Sequence, residues 1–162
     1  MKPSRALSVS VIALALGVAC SKPKPPTVRP LSARVVAVTP SEIRLAVDLE
    51  VTNPNGFPLV ARSVDGTLSV GSGAELGRSH TDLASSIPAG ATANVTSEVS
   101  VGFQNLGALA PFVLSPLPVP YELHGSATLG GEKLNVSVPF TLNGELTRAE
   151  LVAIGLNHLA PR

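Results

Sequence analysis

Apolar and polar residues alternate along most of this chain with a period of two. Between residues 41 and 56, Ile43, Leu45, Val47, Leu49 and Val51 are apolar, while Glu42, Arg44, Asp48, Glu50 and Thr52 are polar. Such a period puts one face of an extended strand in a core and the other in water. It stops at Asn53-Pro54-Asn55-Gly56. Pro54 fixes its own φ there, and Asn55 and Gly56 tolerate a turn. Similar runs occupy residues 33–38, 59–70, 91–103, 119–129 and 134–142, with a weaker one at 74–80. In 59–70 the inward set reads Val60, Val64, Leu68 and Val70. Arg62 interrupts it, which predicts a bulge or an edge. In 91–103 the inward set reads Ala93, Val95, Val99, Val101 and Phe103.

Two segments follow a helical period instead. Leu106, Leu109, Ala110 and Val113 recur at 3.6-residue spacing within 104–114, and Pro116 and Pro118 stop them. They predict a short helix crossing between strands. Thr147-Arg148-Ala149-Glu150 fits a capping box. Ala149, Val152, Ala153 and Leu156 fall on one face of the helix it opens, which packs on the domain or on a partner. About seven short strands between turn signals define the fold class as all-β. The expected architecture is an immunoglobulin- or fibronectin III-like antiparallel β-sandwich with one short crossing helix.

The first thirty residues carry no strand pattern. Lys2 and Arg5 precede a mostly apolar stretch, 6–18, too short for the roughly 20 residues of a membrane span. It reads as a secretory signal ending at Leu16-Gly17-Val18-Ala19-Cys20-Ser21. Ala19 before the one cysteine of the chain resembles a bacterial lipobox, in which the peptidase cuts before a cysteine that becomes lipidated. Gly17 departs from that pattern, which has Leu three places before the cysteine. The other reading is an ordinary signal with a chance cysteine. Ser21 in place of Asp resembles the outer-membrane sorting pattern of enterobacterial lipoproteins. Residues 21–30, with Pro23, Pro25, Pro26 and Pro30 among Lys22, Lys24 and Arg29, read as an extended tether. At roughly 3.1 Å per residue it reaches about 30 Å. The expected organisation is a signal peptide at 1–19, lipidated Cys20 and tether at 20–30, the sandwich at 31–146, and a helical tail at 147–162.

One cysteine leaves no disulfide framework, so the fold stands on its core. Removing Lys2 and Arg5 with the signal takes the formal charge from +1 to slightly negative. No basic patch then suggests nucleic acid. His80, His124 and His158 lie at no metal-ligand spacing. The carboxylates are dispersed, and Gly-x-Ser-x-Gly is absent. Gly71-Ser72-Gly73 has no helix pattern behind it to make a phosphate cradle. With no Trp and one Tyr, stacking platforms are nearly missing. No catalytic, cofactor-binding or metal residue is therefore assigned, and an enzyme is not expected.

The long strand 42–52 ending in Asn53-Pro54-Asn55 resembles the signature of the group 2 late embryogenesis abundant (LEA14-like) family. Its domain is called WHy, for water stress and hypersensitive response. A helix before the last two strands is also a feature of that fold, so the resemblance covers roughly residues 33–142. It implies a non-enzymatic role in desiccation or water stress, and the lipobox reading above makes the expected protein a membrane-anchored lipoprotein. Its partner would be a membrane through the lipid on Cys20, with any protein or lipid partner unknown. Two other readings stay open: a binding module holding a lipid or apolar ligand between the sheets, and a structural or assembly lipoprotein of the envelope.

Overall fold

The computed structural model describes residues 22–112 and 115–154. Cys20, Ser21, Val113, Leu156 and His158 lie outside them. Seven strands follow one another: β1 (Thr27–Val38), β2 (Glu42–Thr52), β3 (Leu59–Val70), β4 (Ala74–Ile87), β5 (Thr92–Gly102), β6 (Val119–Gly130) and β7 (Asn135–Leu146). They form two antiparallel sheets, ordered β1-β2-β5 and β4-β3-β6-β7, packed face to face as a sandwich. The alternation of β2 is realised in full. Ile43, Leu45, Val47, Leu49 and Val51 all lie in the core. They meet Leu68, Leu123, Leu129 and their neighbours from the other sheet. Ser97 takes the inward place that the apolar series of β5 skips, and its hydroxyl is buried without a protein partner.

β1 begins at Thr27, inside the stretch expected to be tether, so Thr27 to Pro30 belong to the sandwich. Its inward residues are Val28, Pro30, Ala33, Val35 and Val38, opposite Val51, Leu49, Val47, Leu45 and Ile43. Register shifts at Leu31 and Val36 each insert one residue and turn it outward, and both side chains are exposed. Pro30 is tolerated because β1 is an edge strand. A bulge does sit at Arg62 in β3. It flips the phase, so the inward residues before it are Leu59 and Ala61, and Val60 points to water rather than to the core. β4 runs on to Ile87, well beyond residue 80. Its inward positions Ser79, Thr81 and Ser85 are polar, and they sit near the sheet edge where water reaches them.

β4 lies against β5 and β1 against β7, so the edges of the two sheets approach each other. At the β4–β5 corner a Cβ on Gly77 would run into the Gly102 carbonyl, and Leu76 accepts bonds from the Gln104 and Asn105 amides. Across the other side the Tyr121 hydroxyl donates to the Ala33 carbonyl at 2.9 Å, joining the sheets. The crossing segment is a 3₁₀ helix, Leu106–Phe112, that buries Ala108 and Leu109. Pro111 within it removes an amide that an α-helix needs. The capping box forms at Thr147 and opens helix α1 (Arg148–Ala153). That helix docks on the domain through Leu151 and Ile154, while Ala149, Val152 and Ala153 face water. The face expected from sequence is thus the wrong one. A helix this short settles by one apolar i,i+3 pair rather than by a full stripe.

Candidate functional site

The turns β2–β3, β4–β5 and β6–β7 and the lead-in to β1 gather at one end of the sandwich. Asn53, at the end of β2, is fully buried there. Its Nδ2 donates to the carbonyls of Phe57 at 2.8 Å and Pro88 at 3.1 Å. Its Oδ1 accepts from the Asn55 amide at 3.0 Å and from Asn55 Nδ2 at 3.2 Å. One side chain thereby closes its own turn and ties it to the β4–β5 turn. The backbone repeats the link: the Asn53 amide donates to Ala91 O and the Gly90 amide to Asn55 O, each at 2.9 Å. Gly90 takes φ +65°, as that turn requires.

Asn55, also buried, reaches the lead-in. Its Oδ1 accepts from the Lys24 amide at 2.7 Å and its Nδ2 donates to the Lys24 carbonyl at 2.8 Å. A primary amide presents its oxygen and one of its two N–H groups side by side in a plane, so it pairs with a backbone unit much as a neighbouring strand does, and the second N–H is left for Asn53 Oδ1. Exposed Pro54 holds the two asparagines in the extended-then-turning path that aims both side chains inward. The three motif residues are thus one device joining three chain segments. The partner of Asn55 was missed in the sequence, because Lys24 is 31 residues away and nothing in its surroundings marks it.

The outer faces carry the charges. On the β1-β2-β5 sheet Asp48 accepts from Ser32 Oγ and Thr96 Oγ1, both at 2.7 Å. Those hydroxyls, and to a lesser degree Arg34, hold its carboxyl below the usual aspartate range. Arg29 and Glu50 pair through two bonds of 2.9 and 3.0 Å. On the other sheet His80 Nδ1 lies 2.6 Å from Asp65 and its Nε2 3.3 Å from Asp82. Asp65 first, then Asp82, raise the His80 pKa above its ordinary value.

Beside them Thr141 Oγ1, His124 Nδ1 and Glu122 form a line, at 3.3 Å and 3.1 Å. The order is that of a hydroxyl, an imidazole and a carboxylate. It does not assemble an acyl-transfer site. His124 and Glu122 are exposed on an open face, and β6 is paired on both sides, so its amides serve the ladders rather than an oxyanion. The neighbouring depression, about 460 Å³, is shallow and open, and so is a second of about 410 Å³ at Ser69, Tyr121 and Asn143. Among the described residues no group of three or more His, Cys, Asp or Glu side chains is placed to hold a metal. None of their helices is long and apolar enough to cross a membrane. Cys20, the expected lipidation site, lies outside the described residues.

Fold and motif together define a small antiparallel β-sandwich whose turn end is sewn shut by a buried Asn-Pro-Asn. The chain belongs to the late embryogenesis abundant protein family LEA_2, whose family model matches residues 48–144. A solution structure of a protein from Arabidopsis thaliana superposes with TM-score 0.60 at 20% identity, over 88% of this chain and 91% of that one. A crystal structure of a protein from Archaeoglobus fulgidus does so with TM-score 0.56 at 13% identity, over 75% and 94%. At these identities the likeness is one of fold. No curated protein sequence matches the chain.

Proposed function

We propose that this protein is a non-enzymatic LEA_2 lipoprotein of the bacterial cell envelope that helps the cell withstand drying. Membership of the LEA_2 family is the observation that carries the reading. The signal-like segment 1–19 and Cys20 support export and acylation, and Ser21 favours the outer membrane. The outer face of the β1-β2-β5 sheet supports a physical route. Thr92, Asn94, Thr96 and Ser100 are exposed along β5, and Thr52 and Thr92 share a hydroxyl–hydroxyl bond of 2.9 Å. A stably folded face of hydroxyls and amides offers hydrogen bonds to neighbouring surfaces as their water leaves.

The test is survival. A deletion strain is expected to lose viability on drying, the wild-type gene to restore it, and the Cys20→Ser form to restore less. Unimpaired survival of the deletion strain across drying, salt and freezing would contradict the reading.

A further inference from the structure

We propose that the turn end of the sandwich is a surface that rests on an anionic lipid bilayer. Arg29, Arg34, Arg44 and Arg78 each pair with a carboxylate on an outer face. Among the described residues, no ion pair joins Lys22, Lys24, Arg62 or Lys133. These four unpaired cations sit at one end of the molecule. Lys22 and Lys24 are on the lead-in that Asn55 clamps. Lys133 is on the β6–β7 turn. The Arg62 guanidinium occupies the space beside Gly130 at the start of that turn. Glu132 is the one acid on the lead-in and the three turns.

The turns are in mutual contact, since a Cβ on Gly131 would sit 3.1 Å from the Pro58 carbonyl and 3.7 Å from the half-buried Phe57 ring. The result is one contiguous basic end, on a chain whose other described cations are spent on pairs or, at Arg148, on a bond to the Ser115 carbonyl. Charge complementarity selects the occupant. Phosphate-bearing lipids present a dense negative plane, and each unpaired Lys or Arg near it adds attraction that falls off within a Debye length. The clamp at Lys24 makes the chain leave the domain at this same end, so an anchor at Cys20 would hold the basic face towards the bilayer. The proposal takes its setting from the envelope reading above, and its test removes the acyl chain so that the two can fail separately.

The experiment uses the chain from residue 20 onward with Cys20→Ser, cosedimented with vesicles. One set is phosphatidylglycerol mixed with phosphatidylcholine, the other phosphatidylcholine alone. Binding is expected to the anionic vesicles at about 50 mM salt, to be at least about tenfold weaker on the neutral ones, and to vanish at about 500 mM. Lys22→Glu, Lys24→Glu and Lys133→Glu together should weaken it at least about tenfold with an unchanged melting temperature. The matched triple Arg34→Glu, Arg44→Glu and Arg78→Glu, whose residues lie away from the turn end, should leave it within about twofold of the parent. Equal loss in both triples would reduce the effect to net charge and overturn the proposal. So would equal binding to both vesicle types, or binding to a soluble polyanion such as heparin with none to vesicles. Loss of membrane pelleting by the acylated protein would instead bear on the lipoprotein reading alone.

Discussion

Asn53 uses both ends of its amide, with Nδ2 donating to the Phe57, Pro88 and, at 3.4 Å, Ile87 carbonyls and Oδ1 shared by two N–H groups. Asn53→Ala leaves these groups buried and unmatched, and the expected loss is about 2–3 kcal/mol. Asn53→Asp is the sharper test. It keeps the shape but turns a carboxylate towards the Phe57 and Pro88 carbonyls, so it should cost at least as much as the alanine. A melting temperature unchanged in both variants would remove the motif from the fold's supports. His80 offers a second reading at this scale. Its folded pKa is raised, so its pairing stabilises the fold below the ordinary histidine pKa and is lost as pH rises through the raised value. The side chain is exposed, so NMR titration reads the effect better than stability does. Asp65→Asn should bring the His80 midpoint down towards its ordinary value, and an unmoved midpoint would contradict the assigned cause.

Element by element, the chain was legible where one residue in two faces the core without interruption. β2, β6 and β7 meet that condition and β5 departs from it only at Ser97, so their inward residues follow from sequence alone. β1 and β3 do not, because single inserted residues at Leu31, Val36 and Arg62 shift the phase. Only Arg62 betrayed itself, being a charge where an apolar residue was due. The far half of β4 was hidden because Thr81 and Ser85 alternate with Leu83 and Ile87 on its inward side and break the apolar series. At the site, Asn53 and Asn55 stood out as a motif. The cations Lys22, Lys24, Arg62 and Lys133 are scattered in sequence, and only the topology brings them to one end. The register itself is testable on β2. Val47→Asp buries an unpaired carboxylate and should cost several kcal/mol, enough to unfold a marginal domain. Asp48→Ala breaks bonds to both neighbouring strands at the surface, and about 1 kcal/mol is expected. Equal thermal shifts for the two would contradict the facing assigned to β2.

The whole molecule has a direction. One end gathers the lead-in, the motif and the unpaired cations, while the other holds the 3₁₀ crossing and α1. The outer faces of the sheets between them carry hydroxyls and paired charges. The lead-in is held at Lys24, four positions after Cys20 in the sequence, so on the proposed lipoprotein reading an anchored Cys20 would keep the sandwich close to the membrane. Everything in this orientation depends on the Asn55 clamp. Hydrogen exchange at the Lys24 amide tests it most directly, because that N–H donates to a buried side-chain oxygen rather than to a strand. The account predicts a Lys24 amide protected in the wild type. In Asn55→Ala it should exchange freely while the amides of β2 and β6 stay protected. A Lys24 amide that exchanges at the free-chain rate in the wild type would contradict the clamp and the orientation built on it.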